Sequence, residues 1–279
     1  MASLINKNRP PAYCPGCSHD TVTKALDRAF QSMELEGNQV ALVSDIGCSG
    51  LFDTFFNTHA FHGLHGRALT YATGIKLAQP HLTVVVTMGD GGLGIGGAHL
   101  AAACRRNVDL TLLILNNFNY GMTGGQCSFT TPPDAVVGSG FLNRLERPMD
   151  AAELVRAAGA PFVTRCSSYC KDLPQKIVEA IKFNGFSVMD IWGMCTGRYT
   201  KRNKLTPSVI EENLNSLPPL EGPVQCNLRE EYGNQYRKVA AMEKKPSAPQ
   251  TIDTQFGSSS TGREEIVLLG SAGQRILTA

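Results

Sequence analysis

The sequence predicts an α/β protein built around a doubly wound, mostly parallel sheet. Short runs of apolar and β-branched residues recur at long intervals, and amphipathic or alanine-rich segments lie between them. Strands of a parallel sheet are buried on both faces and are joined by helical crossovers, so this alternation is typical of such a fold. The five predicted strands are VALVSD (40–45), TVVVTMGD (83–90), LTLLILNN (110–117), PFVTRC (161–166) and SVMDIW (187–192).

The first predicted helix precedes the first strand and covers residues 18–33. Its sequence, SHDTVTKALDRAFQSM, places Val22, Leu26 and Phe30 on one face, and Ser18 is the predicted N-cap. Further helices are predicted near residues 65–79, 95–106, 150–158 and 171–183.

The composition indicates a globular protein in a reducing compartment. The 279 residues are 42% hydrophobic and carry a formal net charge of +2, which gives no reason to expect nucleic acid or an anionic membrane as the main partner. The opening MASLINKNRPPAYC lacks the apolar stretch of a signal peptide, and no run of about 18 apolar residues is present to span a bilayer. We therefore expect a cytoplasmic location, where nine cysteines favour metal or cluster ligation over a disulfide framework.

A change of composition after residue 203 predicts three regions. Residues 1–203 hold all the predicted strands and form the predicted main domain. Residues 204–263 include LPPLEGP and a stretch rich in Pro, Ser and charge, and they are predicted to be an extension or linker. Residues 264–279 return to a strand, a glycine turn and the start of a helix, which predicts the incomplete beginning of a second domain.

Hard oxygen donors follow two of the predicted strands. GDGG (89–92) places Asp90 just beyond one strand, and Asn117 follows the next. Ligands of doubly wound sheets collect beyond the carboxyl ends of the strands, and Mg²⁺ takes carboxylate and amide oxygens together with phosphates. The backbone carbonyl of Asn119 is a candidate third ligand, and the glycines after Asp90 lead into a helix whose free N–H groups can receive a phosphate. Turn chemistry explains either motif alone, but the two together favour a diphosphate and magnesium site.

Four cysteines are candidates for a metal centre. Cys14 and Cys17 form a Cys-x-x-Cys pair, and Cys48 and Cys195 each follow a predicted strand. Four thiolates suit either zinc or an iron–sulfur cluster, and a single Cys-x-x-Cys pair favours the cluster because zinc ribbons usually present two. The simpler alternative is an isolated redox or incidental pair. The competing pair Cys166 and Cys170, with Cys104, Cys127 and Cys226, is interpreted as packing or surface cysteines.

The segment HAFHGLHGR (59–67) carries three histidines, one at every third residue. Glycines interrupt the segment, so a helical array of ligands is not expected and the histidines are interpreted as polar loop residues. We hypothesise a phosphate or cofactor contact for His65 and Arg67. His19, beside the cysteine pair, is a similar candidate.

The segments CPGCSH, IGCSG, HGRALTYATGIKLA, GDGGLGIGGAH and NNFNYGMTGGQ together resemble the β subunit of 2-oxoacid:ferredoxin oxidoreductases, in order from residue 13 to about 200. The resemblance implies a thiamine-diphosphate-binding fold for residues 1–203, and the final residues 264–279 look like the start of the family's γ domain. Two departures are visible. The family often shows GDGD where this chain has Gly92, and Ser18 replaces the glycine of CPGCGH.

The resemblance also implies the ligand sets and the residues around the cofactor. Thiamine diphosphate is held through Mg²⁺ by Asp90, Asn117 and the Asn119 carbonyl. Ile46 and His65 are the implied catalytic residues. One [4Fe–4S] cluster is implied on Cys14, Cys17, Cys48 and Cys195. The implied cofactor-binding residues are Ile46, Gly47, Cys48, His65, Gly89, Asp90, Gly91, Gly92, Asn117, Tyr120, Gly121 and Thr123.

The implied reaction is the oxidative decarboxylation of a 2-oxoacid with coenzyme A to acyl-CoA, CO₂ and reduced ferredoxin. The 2-oxoglutarate-type branch is expected, with a pyruvate-specific member as the alternative. The resemblance places the carboxylate that activates the cofactor on an α subunit with its γ domain, and we expect a dimer of αβ units. Two alternatives from other classes remain: a cluster-free thiamine-dependent decarboxylase subunit and a zinc-stapled binding module.

Overall fold

The computed structural model describes residues 2–225 and 228–242, and the chain as far as Ala241 forms one compact unit. Cys226, the second part of the predicted linker and the predicted γ-like segment 264–279 lie outside the described residues. In the part that is described, no helix is both long and apolar enough to cross a membrane.

Six parallel strands form one sheet in the order β2-β1-β3-β4-β6-β5, so the predicted fold class is confirmed. All five predicted strands are present. The sixth, β2, pairs with β1 at an edge and was missed because its four residues, HAFH, are all exposed and form no apolar run. The strands are β1 (Val40–Ser44), β2 (His59–His62), β3 (Thr83–Gly89), β4 (Leu110–Asn116), β5 (Phe162–Ser167) and β6 (Phe186–Trp192).

Helices cover both faces of the sheet, as the uninterrupted apolar strands predict. Alternate residues of each strand face opposite ways, so Ala41 and Val43 belong to one core and Val40 and Leu42 to the other. Helices α2, α4 and α5 pack on the first core, and α1, α6 and a 3₁₀ helix (Cys48–Phe55) pack on the second. The helices are α1 (Ser18–Ser32), α2 (Ala68–Ala78), α3 (Asp90–Ile95), α4 (Gly97–Arg106), α5 (Ala151–Ala157), α6 (Leu173–Lys182), α7 (Thr200–Asn203), α8 (Pro207–Asn215) and α9 (Tyr232–Met242).

Helix α1 lies where the sequence predicts it, but Ser18 is not its N-cap. Cys17 occupies the N-cap position without a side-chain hydrogen bond, and Ser18 is the first helical residue. The backbone N–H and the hydroxyl of Ser18 both donate to the carbonyl oxygen of Met194, each at 3.2 Å. The start of α1 is thereby attached to the loop that follows β6.

The segment after residue 203 packs against the sheet, so the boundary predicted there does not end the compact unit. Val163 and Arg165 of strand β5 donate their backbone N–H groups to the carbonyl oxygens of Gly222 and Leu220, both at 2.9 Å. The prolines of LPPLEGP mark an extended path along an edge strand, where a residue without an N–H is tolerated. Composition alone did not distinguish this path from a linker.

Asn107 joins three elements at the end of α4. It adopts a left-handed backbone with φ 54°, which asparagine tolerates better than most residues. Its side-chain Nδ2 donates to the Arg229 carbonyl at 2.7 Å, and its Oδ1 accepts the N–H of Phe186 at 2.9 Å. One buried amide therefore connects α4, the start of β6 and the segment before α9.

We expect Asn107→Ala to lower the free energy of unfolding by about 2–4 kcal/mol, because it strains the left-handed residue and leaves the buried Phe186 N–H without a partner. Urea denaturation measures the loss. Asn57→Ala changes an exposed asparagine and should stay within about 0.5 kcal/mol of wild type. Equal midpoints for the two variants would show that Asn107 does not hold these elements together.

Candidate functional site

A cavity of about 120 Å³ lies at the carboxyl ends of β1, β3 and β4, and we refer to it as the strand-end cavity. It brings together most of the residues that the sequence singled out, His19 among them, and it also contains Ser49 and Met122. Its predicted members are Ile46, Gly47, Cys48, His65, Gly89, Asp90, Gly91, Gly92, Asn117, Asn119, Tyr120, Gly121 and Thr123.

Asp90 is a buried acid at the end of β3. It is the first residue of α3, and only 1% of its surface is exposed. Burial raises the pKa of its carboxyl to about 6, although hydrogen bonds from the hydroxyls of Ser128 and Thr130 oppose the shift. No ion pair to Asp90 is found within the described ranges. The site thus holds an acid that lacks a compensating cation.

Two buried amides follow the neighbouring strand. The register of β3 and β4 pairs Gly89 with Leu115, so the residues beyond these two strand ends lie side by side. The Nδ2 of Asn119 donates to the backbone carbonyl of Asn117 at 2.7 Å. The Oδ1 of Asn119 is buried and has no hydrogen-bond partner.

These donors fit a hard cation such as Mg²⁺. A buried carboxylate and an unpartnered amide oxygen are both costly without a ligand, and Mg²⁺ is bound by oxygen atoms of these types. In the described part of the chain, no group of three or more His, Cys, Asp or Glu side chains is arranged to hold a metal ion. That statement concerns only these four residue types, and a metal site made of one carboxylate and two asparagines is not of that kind.

A carboxylate that the sequence did not single out stands behind the cavity. Asp45 is fully buried, and its Oδ2 lies 2.8 Å from Nδ1 of His65 while its Oδ1 accepts the N–H of Gly66 at 2.6 Å. A Cβ added to Gly92 would lie 1.9 Å from that same Oδ2. The departure from GDGD therefore has a physical reason, because Asp45 occupies the space that a side chain at position 92 would need. The sequence feature that could have pointed to Asp45 is its place at the start of DIGCSG, directly after strand β1.

Tyr120 closes the cavity on the side of His65. Its hydroxyl donates to the carbonyl of Gly91 at 2.8 Å, and its ring meets the His65 ring edge-on at a centroid distance of 6.2 Å. Residue 91 must be glycine, since a Cβ there would lie 2.2 Å from the Tyr120 ring. Thr123 also lines the cavity, but its hydroxyl donates to the side chain of Gln126 at 2.6 Å.

The four predicted cysteines lie close enough to influence one another. Burial raises the pKa of both the Cys17 and the Cys48 thiol, and the neighbouring thiols of Cys14 and Cys195 raise them further. The hydroxyl of Thr196 donates to the Pro15 carbonyl at 2.9 Å, which ties the loop after β6 to the Cys-x-x-Cys loop. Cys48 also lines the strand-end cavity, so the cysteine group and the cavity are adjacent.

The other described cysteines lie elsewhere. Cys104 belongs to a hydrophobic core, and Cys127 is half-buried. Hydrogen bonding to Cys170 and burial raise the pKa of the Cys166 thiol, so these two form a separate pair beside α6.

His65 is the one residue of the HAFHGLHGR segment that lines the cavity. His59 lies 3.1 Å from the Asn38 carbonyl through Nε2, His62 lies 3.5 Å from Asp53, and Arg67 contacts His99. The hypothesis of a cofactor contact by Arg67 therefore finds no support in its position. His19 is buried in the cavity wall, where burial lowers its pKa to about 4, and its Nδ1 has no partner.

A second cavity of about 500 Å³ lies beyond Thr130 and is lined by Phe118, Trp192 and Tyr199 among others. None of the described residues that the sequence singled out as site residues lines it. The larger space is therefore separate from the strand-end cavity, and Thr130 stands between the two.

The fold and the strand-end cavity define a thiamine-diphosphate-binding domain. Residues 45–191 match the family described as thiamine pyrophosphate enzyme, C-terminal TPP binding domain. This range runs from Asp45 to the last residues of β6 and includes Asp90, Asn117 and Asn119.

Similar proteins identify the family of this chain more closely. The 2-oxoglutarate synthase subunit KorB of Archaeoglobus fulgidus is 45% identical to this chain, over 67% of this chain and 70% of its own length. Subunit beta of 2-oxoacid:ferredoxin oxidoreductase 1 of Aeropyrum pernix is 37% identical, over 83% of this chain and 72% of its own length. A solved 2-oxoglutarate:ferredoxin oxidoreductase from Magnetococcus marinus, with 2-oxoglutarate, coenzyme A and succinyl-CoA bound, superposes with a TM-score of 0.75 at 26% identity, covering 88% of this chain and 91% of that one. The chain belongs to the β-subunit family of 2-oxoacid:ferredoxin oxidoreductases.

We expect Gly92→Ala to destabilise the fold by about 1–3 kcal/mol, because the added Cβ would overlap the buried Asp45 carboxylate. Thermal unfolding of the purified chain measures the change. Gly74→Ala is the matched control, since nothing lies within 4 Å of its added Cβ and alanine favours the interior of α2 by roughly 0.5–1 kcal/mol. A Gly92→Ala chain as stable as wild type would contradict the packing described for Asp45.

Proposed function

We propose that this chain is the subunit that binds thiamine diphosphate, Mg²⁺ and a [4Fe–4S] cluster in an oxidoreductase acting on 2-oxoglutarate, coenzyme A and ferredoxin. The observation that carries the proposal is the adjacency of two groups at one sheet edge. Buried oxygen donors at Asp90, Asn117 and Asn119 lie beside four grouped cysteines, and Cys48 faces the same cavity. A cofactor and an electron acceptor must be close for electron transfer between them.

Asp90, Asn117 and Asn119 would hold the metal and, through it, the diphosphate. A divalent cation would offset the burial that raises the pKa of Asp90, so the carboxyl would be ionised in the loaded protein. The orphaned Oδ1 of Asn119 would gain a partner at the same time. The sequence points to the backbone carbonyl of Asn119 as a ligand, and its buried side-chain Oδ1, which has no hydrogen-bond partner, is a second candidate.

Thiamine diphosphate, when bound, supplies the carbanion chemistry that allows a 2-oxoacid to lose CO₂. The residues of this chain prepare the surroundings. Tyr120 holds the loop after β4 against Gly91, and buried Asp45 holds His65 at the cavity wall. These contacts fix the side chains before any ligand arrives, which lowers the cost of ordering them on binding.

Cys14, Cys17, Cys48 and Cys195 would hold the cluster. Bound iron would stabilise the thiolates whose formation burial and mutual repulsion now oppose. A single Cys-x-x-Cys pair favours the cluster over a zinc staple, because zinc ribbons usually present two such pairs.

A partner chain would complete the site. The strand-end cavity is smaller than the roughly 300–1,000 Å³ of most ligand pockets, so it accommodates only part of a coenzyme of this size. Exposed apolar side chains surround it: Met122 lines it, Leu64 precedes His65, and Ile95 packs against Gly66. We infer that an α subunit covers this rim in a cytoplasmic assembly of two αβ units.

The names of the relatives favour 2-oxoglutarate over pyruvate as the substrate. Purified with its α subunit, the complex should reduce methyl viologen only when a 2-oxoacid and coenzyme A are both present, and faster with 2-oxoglutarate than with pyruvate. Viologen reduction that is faster with pyruvate would overturn the assignment of 2-oxoglutarate as the substrate. Aldehyde release without viologen reduction would instead support a cluster-free decarboxylase.

Two substitutions should each affect the binding of only one of the two proposed cofactors. Asp90→Asn removes the carboxylate charge, so Mg²⁺-dependent binding of thiamine diphosphate should weaken at least about tenfold by calorimetry, while the brown visible absorption is kept. Cys17→Ser should abolish that absorption and lower iron from about four atoms per chain, with coenzyme binding retained. Cys127→Ser lies outside both groups and should change neither readout. A colourless wild-type protein that carries stoichiometric zinc would defeat the cluster assignment.

A further inference from the structure

We infer that Asp45 is a positioning residue that holds the Nδ1–H of His65, so that the ring directs Nε2 into the strand-end cavity, where an imidazolium would donate its Nε2–H to the diphosphate. The inference rests on the proposed function for the identity of the ligand. Asp45 itself does not line the cavity, so it acts through the histidine and not on the ligand.

The geometry of the pair leaves one ring nitrogen free. Nδ1 of His65 lies 2.8 Å from Oδ2 of Asp45. A carboxylate can accept hydrogen bonds but cannot donate them, so the hydrogen of this bond must reside on Nδ1. Hydrogen bonds found within the described residues engage His65 only through Nδ1, which leaves Nε2 for a ligand. A carboxylate behind a functional histidine commonly sets the tautomer in this way.

The surroundings of Asp45 fix the orientation of its carboxylate toward His65. Asp45 is fully buried, its second oxygen accepts the N–H of Gly66 at 2.6 Å, and its own N–H donates to the Thr87 carbonyl at 3.0 Å. Gly66 has φ +74°, a left-handed conformation that favours glycine and turns its N–H toward the acid. The orientation of His65 is therefore set by a part of the fold that is formed before a ligand binds.

The ring of His65 also packs against an aromatic side chain. Tyr120 meets it edge-on at a centroid distance of 6.2 Å. The side chain of His65 remains 31% exposed, in contrast to the buried acid behind it. An imidazolium between Asp45 and a diphosphate would donate one N–H to each anion, and such charge-assisted bonds are about twice as strong as neutral ones.

A second pair of a histidine and a buried aspartate provides the control. His62 of β2 lies 3.5 Å from the buried carboxylate of Asp53, but neither residue lines the strand-end cavity. Asp53→Asn therefore makes the same chemical change next to a histidine that faces no proposed ligand.

The first measurement concerns the free protein. Nitrogen-15 spectra of the histidine-labelled full chain, recorded at a pH where imidazole is neutral, report which ring nitrogen of His65 carries the hydrogen, and His65→Gln identifies its signals. We expect the Nδ1–H form in wild type and the Nε2–H form in Asp45→Asn, whose amide would donate to Nδ1. An Nε2–H form in wild type would overturn the inference, even if the Asp45 variant did not fold.

The second measurement is the affinity of the αβ complex for thiamine diphosphate with Mg²⁺, by calorimetry. We expect Asp45→Asn to weaken binding about tenfold, because the variant loses the carboxylate that would accept Nδ1–H from an imidazolium placed between Asp45 and the diphosphate. We expect Asp53→Asn to leave the affinity unchanged. In a His65→Ala background, Asp45→Asn should have no further effect beyond about twofold, because it acts through the histidine.

The outcomes separate this inference from the proposed function. A wild-type complex that binds the coenzyme, together with an Asp45→Asn complex of equal affinity, would overturn the role of Asp45 and leave the function standing. If the losses of affinity caused by Asp45→Asn and His65→Ala were fully additive, Asp45 would act by another route, and this result would also overturn its proposed role. A wild-type complex that binds no thiamine diphosphate would overturn the proposed function and this inference together.

Discussion

The burial of the Asp90 carboxyl is the constraint on which the site depends. Asp90 is 1% exposed, hydroxyl groups surround it, and none of the described residues forms an ion pair with it, so burial disfavours its charged form and a positively charged ligand would favour that form. The sheet imposes that burial, because the parallel register of β3 and β4 places Asp90 and Asn117 between strand ends and helices. The burial that raises the pKa of this acid also suits Asp90 to the proposed role of a cation ligand.

The fold also explains why these four cysteines lie near one another. Cys48 follows β1 and Cys195 follows β6, while Cys14 and Cys17 precede a helix whose first residue is bonded to the Met194 carbonyl. The two bonds from Ser18 attach the Cys-x-x-Cys segment to the loop that carries Cys195. The cofactor region and the cysteine region then share Cys48 as a common wall.

Much of this arrangement could be predicted from the sequence, because apolar strand runs mark the strand ends and the polar motifs follow directly. Asp90, Asn117 and Cys48 were singled out in this way, and all three line the strand-end cavity. The Asp45–His65 contact could not be predicted, since it requires the exposed strand β2 to pair with β1 and carry the following loop back toward the cavity. The segment along β5 was missed for a related reason: its contacts are made by backbone atoms, which composition does not report.

The backbone pairing of Gly222 and Leu220 with β5 has a consequence for solubility. The free edge of a parallel sheet offers a row of N–H and C=O groups to any other extended chain, and this invites edge-to-edge association. Here the chain occupies that edge itself with a proline-containing stretch, and an isolated bridge between Phe162 and Pro223 continues the cover. At the opposite edge, β2 is only four residues long. The sheet therefore presents little template for other molecules to extend.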